Sequence, residues 1–105
     1  MFIYNVTVKT DAAISNAWER WMLEEHMPEL LATGLFTECR LSRLADTDDD
    51  DSPTYSAQYT CPSRAEYERY ITDHAAAMRQ KGLDKFGGGF VAFRSVMDVL
   101  GVLKG

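Results

Sequence analysis

One segment decides how this chain folds: residues 21–36, with the sequence WMLEEHMPELLATGLF. Apolar residues recur at helical spacing from Ile14 into this segment, with charged residues turned towards water. Pro28 lacks a backbone donor and crowds the preceding turn, so it predicts a kink or a restart of the helix. Gly34 predicts the C-terminal cap, and a strand follows from Phe36. The segment therefore predicts an amphipathic helix, interrupted near Pro28, that leads into a β-strand.

The rest of the chain divides into further strands and a second helix. Strands are predicted over residues 2–9, 36–44, 54–60 and 90–99 from their apolar or alternating patterns. Ser63 and Glu66 have the spacing of a capping box and predict the start of the second helix. The apolar stripe of that helix contains Tyr67, Tyr70, Ile71, His74 and Met78. The acidic run from Asp46 to Asp51 predicts a hairpin tip between the second and third strands.

The predicted order of elements is β-α-β-β-α-β, which is the ferredoxin-like arrangement. At 105 residues the chain is expected to form a single domain over residues 1–105. The fold class is therefore α+β: a βαββαβ sandwich in which two helices cover one face of a four-stranded antiparallel sheet. The other face of the sheet is left without a covering layer.

Side-chain alternation assigns each strand residue to one of the two faces. The set expected to meet the helices is apolar: Tyr4, Val6, Leu41, Ala57, Val91 and Phe93. The opposite set is mixed: Ile3, Asn5, Thr7, Glu38, Arg40, Ser42, Ser56, Gln58, Ala92, Arg94 and Val96. An exposed face of this kind suits an interface between two copies of the chain. We therefore expect a homodimer that encloses a polar-lined cavity.

Composition excludes several classes of function. The net charge is −5, and the eleven Lys and Arg residues are scattered, which argues against a nucleic-acid partner. No apolar run approaches the ~18 residues of a membrane span, and the N-terminus lacks the features of a signal peptide. Two cysteines, Cys39 and Cys61, are too few for a disulfide framework. We expect a cytoplasmic protein without a membrane partner, a metal site or a cofactor.

Four blocks of the chain resemble the DUF4286 family of small, uncharacterised bacterial proteins. They are IYNVTV at 3–8, the segment 21–36, PTYSAQY at 53–59 and KFGGGFVAFR at 85–94. Such proteins are similar to the dimeric α/β-barrel superfamily, in which two ferredoxin-like subunits join their sheets face to face. The resemblance implies a dimeric α/β barrel and carries no assigned activity, because this superfamily includes cofactorless monooxygenases, isomerases, haem enzymes and effector-binding domains.

The chain has two histidines, which are candidates for proton transfer. His26 lies at the edge of the first apolar stripe, and an unperturbed imidazole suits a general base near neutral pH. The alternative is that His26 caps the helical segment before Pro28. His74 lies inside the second apolar stripe and is expected to be a core residue. Two histidines without further ligands do not predict a structural zinc site.

Four polar residues are predicted to converge on the uncovered face and bind a ligand: Asn5, Arg40, Gln58 and Arg94. The planar fork of arginine suits a carboxylate or a phosphate. The alternative is that Glu38 pairs with Arg40 or Arg94 and leaves no charge for a ligand, since buried charges must be paired.

Three functions remain open from the sequence. The first is a homodimer that binds a small polar, anionic or aromatic metabolite in a cavity between its sheets. The second is a cofactorless monooxygenase or isomerase in which His26 is the base and an arginine stabilises an enolate-like anion. The third is a dimerisation module whose open face is filled by its partner.

Overall fold

The computed structural model describes residues 1–47 and 52–105. Its elements are β1 (Phe2–Thr10), α1 (Ser15–Trp21), α2 (Met27–Ala32), β2 (Glu38–Arg43), β3 (Thr54–Cys61), α3 (Arg64–Asp73), α4 (Ala75–Phe86) and β4 (Phe90–Asp98). A 3-10 turn (Ala12–Ile14) precedes α1, and a π-helical turn (Met22–His26) joins α1 to α2. Each of the two predicted helices is thus present as two segments. Most of the predicted acidic hairpin tip lies outside the described residues.

The strands form one antiparallel sheet in the order β2-β3-β1-β4. The predicted four-stranded sheet and the predicted hairpin of the second and third strands are confirmed. Tyr4 of β1 lies opposite Tyr59 of β3, so the two residues share a face. On that face Tyr4 packs against Tyr70 of α3, and Tyr55 packs against Trp18 of α1. Both helical stretches therefore cover the same face of the sheet.

The interruption predicted near Pro28 takes the form of the π-helical turn. The amide of Met27 donates to the carbonyl of Met22, five residues earlier, and Pro28 follows in the first turn of α2. An extra residue in one turn lets the helix continue past the proline, which has no amide to donate. Gly34 has a φ of 78°, which confirms it as the C-terminal cap.

The second helical stretch has a break that the sequence does not predict. His74 has φ −130° and ψ −30°, so it ends α3 and precedes α4. Its ring is half-buried, with its centroid 6.2 Å from that of Tyr70, rather than enclosed in the core. At the start of α3 the amide of Ser63 donates to Glu66 Oε2 at 3.0 Å, which confirms the capping box.

The face predicted for β4 is wrong by one residue. Val6 lies opposite both Ala57 and Arg94, so Arg94 faces the helices, whereas Val91 and Phe93 lie on the open face. The helix-facing residues of β4 also include Ala92 and Val96. Apolar residues occur at both parities from Phe90 onward, so alternation does not fix the register, and a slip of one residue exchanges the faces.

The core lies between the helices and the sheet and is rich in aromatic side chains. Its most completely buried large side chains are Tyr55, Tyr59, Phe2 and Leu30, each of which is at most 2% exposed. The Trp18 ring packs against Tyr55 with a centroid distance of 4.7 Å and an interplanar angle of 43°. Rings of this size supply most of the apolar burial available to a small domain.

Tyr55 also anchors α1 to the β2–β3 hairpin through its hydroxyl. The hydroxyl donates to Glu19 Oε2 at 2.6 Å, and Arg43 Nη1 lies 3.4 Å from the same oxygen. Burial, followed by the hydrogen bond to Glu19, raises the pKa of Tyr55 to about 12.

We expect Tyr55→Phe to lower the free energy of unfolding by about 1.5–3 kcal/mol, the range for a hydrogen bond to a charged group. Because the folded pKa is raised, the phenol's contribution is present below pH 10 and is lost as the pH rises towards 12. Urea unfolding measures the loss. Tyr67→Phe is the matched control, since the described residues give the Tyr67 hydroxyl no hydrogen-bond partner. Equal stability of the two variants would show that the Glu19 contact contributes nothing.

Candidate functional site

A cleft lies between the helices and the β1–β4 half of the sheet; it is called here the helix–sheet cleft. Six aromatic side chains contribute to its walls: Tyr4, Trp18, Trp21, Tyr59, Tyr70 and Phe90. Its cavity volume is about 70 Å³, and it is partly open to solvent. This is roughly half of the ~150 Å³ cavity that holds a benzene molecule. A single ring therefore fits only with part of the molecule at the open mouth.

His26 lines this cleft. Its ring stacks on Trp21 with a centroid distance of 4.4 Å and an interplanar angle of 20°. Burial lowers the pKa of His26 to about 4, a nearby Glu29 carboxylate opposes this shift, and Lys81 adds to it. The imidazole is consequently neutral at pH 7, with one nitrogen that donates and one that accepts a hydrogen bond.

The π-helical turn explains why His26 meets Trp21. Residues five positions apart lie about 140° apart around a regular α-helix, so they do not share a face. A turn closed by a bond from residue i+5 to residue i brings the fifth residue back to nearly the same face. Trp21 immediately precedes this turn, and His26, five positions later, is its last residue. The local distortion of the helix therefore positions the histidine in the cleft.

Two arginines also line the cleft: Arg79 from α4 and Arg94 from β4. Arg79 Nη2 donates to Tyr4 Oη at 3.5 Å. Both guanidinium groups act to lower the pKa of Tyr70, although burial raises it by more. In the part of the chain that the structure describes, neither arginine has a carboxylate within 4.0 Å. The cleft is thus lined by two arginines that are exposed to solvent and have no carboxylate partner among the described residues, in a protein whose net charge is −5.

The sequence pattern predicts ligand binding by Arg94 but not by Arg79, and it predicts Arg94 on the opposite face. The structure separates Arg94 from the other three predicted ligand residues and joins it to His26 in the cleft. Arg79 follows Met78 at the edge of the second apolar stripe. This position is the sequence feature that indicates an arginine beside the helix–sheet interface.

The other three predicted ligand residues do lie together on the open face. Gln58 lies opposite Asn5 on one side and opposite Arg40 on the other. The side-chain amide of Asn5 is already engaged: its nitrogen donates to Thr7 and Ser95, and its oxygen accepts from Ser56 at 2.7 Å. Asn5 therefore braces the sheet and has no free amide proton for a ligand.

Arg40 is paired on its own strand. Arg40 Nη2 lies 3.6 Å from Glu38 Oε1, and both side chains are exposed. The sequence leaves two possibilities for Arg40, ligand binding or an ion pair with Glu38, and the structure shows the ion pair. A groove of about 260 Å³ runs beside this pair and Gln58, bounded also by Val102 and Lys104. The groove on the open face therefore contains the Arg40–Glu38 ion pair and the positive charge of Lys104, whereas neither cleft arginine has a carboxylate partner within 4.0 Å in the part of the chain that is described.

Two further observations concern metals and membranes. In residues 1–47 and 52–105, no three His, Cys, Asp or Glu side chains are grouped as metal ligands would be. None of the helices described is both long enough and apolar enough to cross a bilayer.

Solved structures similar to this chain share its fold at low sequence identity. HapK from Hahella chejuensis is 12% identical with a TM-score of 0.71, covering 100% of this chain and 98% of HapK. A dimeric ferredoxin-like protein from an uncultured marine organism is 13% identical with a TM-score of 0.68, covering 99% of each chain. An ethyl tert-butyl ether D (EthD) family protein from Bacillus halodurans is 12% identical with a TM-score of 0.65, covering 95% of this chain and 100% of the other.

At these identities the likeness shows the ferredoxin-like fold and nothing of the chemistry. No curated protein matches the sequence. The family model of the domain of unknown function DUF4286 matches residues 1–100, which confirms the resemblance seen in the sequence. The chain belongs to the DUF4286 family.

Proposed function

We propose that this protein is a homodimer whose subunits each bind a small planar organic anion in the helix–sheet cleft. The observation that carries the proposal is the pair of uncompensated arginines, Arg79 and Arg94, beside an aromatic cavity. The proposed site lies on the helix side of the sheet, not between the two sheets.

The chemistry of the cleft favours a ligand with an apolar body and an anionic end. Both guanidinium groups act on the Tyr70 phenol, so a carboxylate at this end of the cleft would be attracted by two positive charges. Arginine binds carboxylates through paired hydrogen bonds that are stronger than neutral ones. The aromatic walls formed by Trp18 and Trp21 would bury a flat body of one ring or less.

The presence of Gly82 in α4 supports a ligand-binding role for the space in the cleft. This glycine lies inside α4, where alanine would favour the helix by about 1 kcal/mol. A Cβ at this position would lie 3.5 Å from Trp21 Cη2 and 3.6 Å from Phe90 Cζ, which are ordinary packing distances. Neither backbone conformation nor crowding requires glycine here. Its effect is to keep the cleft open between Trp21 and Phe90.

The test is a titration with benzoate, followed by the fluorescence of Trp18 and Trp21, which both line the cleft. Benzoate is expected to bind, and Arg94→Gln is expected to weaken it about tenfold, as loss of a charge-assisted hydrogen bond would. Gly82→Ala is expected to fold normally and also to weaken binding, because its methyl group occupies the cleft.

Three controls make this titration specific. Arg69→Gln removes an exposed arginine that pairs with Asp73 at 3.7 Å, away from the cleft, and should leave the affinity unchanged. Benzamide has the shape of benzoate without the charge and should bind more weakly. The two-ring 2-naphthoate should be excluded by size. Equal affinity for benzoate and benzamide, or no effect of Arg94→Gln, would remove the anion site.

Proton transfer is a second candidate because His26 and Arg94 line one cleft. In this hypothesis the substrate is a keto acid. His26 removes a proton from the carbon next to the keto group, and Arg94 stabilises the resulting enolate. Against it, a pKa of about 4 makes His26 a weak base at pH 7, and a bound anion would have to raise it. The test is the rate of phenylpyruvate tautomerisation, measured by ultraviolet absorbance. Equal rates for the wild type and His26→Gln would exclude this activity.

The open face of the sheet supports the dimeric part of the proposal. Phe93 is 70% exposed and Val91 56% exposed on this face. Apolar surface of this kind on a soluble protein is typical of an interface. Joining two such faces gives a dimeric α/β barrel with the helices outside. The helix–sheet cleft lies on the other side of the sheet, so each subunit would keep its own site.

A further inference from the structure

We infer that the ligand carries a hydrogen-bond donor at the end opposite its anionic group, and that the neutral imidazole of His26 accepts this bond. The inference rests on the proposed anion site. It narrows the ligand class from planar carboxylates to aromatic carboxylates with a para hydroxyl group.

The first observation is the unused hydrogen-bonding capacity of His26. Its Nδ1 is buried and has no hydrogen-bond partner within the described residues. A buried nitrogen without a partner is costly, and a donor supplied by a ligand would remove that cost. His26 is already packed face to face against Trp21, so its ring is held in place before any ligand arrives.

The charged groups beside His26 do not supply the missing partner. Glu29 and Lys81 both act on the pKa of His26, in opposite directions. Lys81 Nζ bonds to Glu29 Oε2, so these two charges satisfy each other across the contact between α2 and α4. The ion pair therefore leaves Nδ1 without a partner among the described residues.

The second observation is the separation between the two ends of the cleft. Trp21 and Phe90 both lie within 4 Å of the position that a Cβ on Gly82 would take. His26 stacks on Trp21, so its imidazole lies at the end of the cleft near Phe90. Arg94 lies four residues further along β4 on the same face, which is ~13 Å along a strand. The arginine side chain spans part of this distance. A ligand that contacts both His26 and Arg94 must therefore be extended, with its donor far from its carboxylate.

The test compares four benzoates by tryptophan fluorescence: benzoate, 4-hydroxybenzoate, 3-hydroxybenzoate and 4-methoxybenzoate. In the wild type, 4-hydroxybenzoate should bind about tenfold more tightly than 4-methoxybenzoate, which has the same shape at the ring but no proton to donate. It should also bind more tightly than the 3-hydroxy isomer. In His26→Phe, which retains a ring against Trp21, the ratio of the affinities for 4-hydroxybenzoate and 4-methoxybenzoate should fall to about one.

The outcomes separate this inference from the function on which it rests. If benzoate fails to bind the wild type, the proposed function fails. If benzoate binds and 4-hydroxybenzoate gains no more than about twofold over it, the His26 contact is wrong and the anion site stands. If His26→Phe does not fold, nitrogen-15 spectra of the wild-type imidazole decide. A change at His26 with 4-hydroxybenzoate but not with 4-methoxybenzoate supports the contact, and equal changes overturn it.

Discussion

Phe93→Glu is expected to convert the proposed dimer into monomers. Phe93 lies on β4 opposite Thr7, and its side chain is 70% exposed in the single chain. Its neighbours of the same parity, Val91 and Met97, are also exposed. In a face-to-face dimer these side chains would be buried, and a twofold axis would bring two new carboxylates into one apolar seam. Unpaired charges in such a seam are strongly unfavourable.

Light scattering after size-exclusion chromatography measures this effect. The wild type at ten micromolar should have twice the 11.9 kDa mass of the chain, whereas Phe93→Glu should have the single mass. The dissociation constant should rise at least ~100-fold, as expected when a large apolar interface contact is replaced by a charge. Leu83→Glu is the matched control, because Leu83 is 51% exposed on α4, on the side away from the open face. A monomeric wild type, or equal effects of the two substitutions, would contradict the dimer.

The elements that the sequence predicts correctly are those with a local physical cause. The capping box of Ser63 and Glu66 starts α3, and the positive φ of Gly34 ends the first helical stretch. The alternation of β1 places Tyr4 and Val8 in the core. In each case the sequence itself contains the group that makes the structure, so no knowledge of the remaining chain is needed.

The candidate site was less predictable because it depends on two non-local features. The register of β4 decides on which side Arg94 lies, and that register is fixed by pairing with β1 rather than by the pattern of β4. The π-helical turn that brings His26 onto Trp21 has no sequence signal except the nearby Pro28. The break at His74 has neither a glycine nor a proline beside it. The sequence predicts functional roles for His26 and Arg94 individually, but it does not predict the cleft that they share.

Acidification is expected to destabilise the protein through His26. The pKa of this imidazole is about 4 in the folded protein and 6.5 when unperturbed. The unfolded chain therefore binds a proton in this range that the folded protein does not, so the free energy of unfolding falls as the pH falls. The contribution is fully present above pH 6.5 and is lost as the pH passes through 4. Its size is about 3 kcal/mol, a large part of the stability of a small domain.

Urea unfolding at several pH values between 7 and 4 measures this contribution. Carboxylates titrate in the same pH range, so the wild type is compared with variants to isolate the contribution of His26. His26→Phe keeps a ring against Trp21 and removes the titrating group, so it should lose about 3 kcal/mol of the decrease seen in the wild type. His74→Gln removes the other histidine and leaves His26 in its cleft, so it should retain the full decrease. Benzoate should make the wild type less sensitive to acid, because an anion in the cleft favours the charged imidazole. If His26→Phe and the wild type lose stability in parallel, the imidazole is not held in the buried, neutral state on which the ligand contact depends.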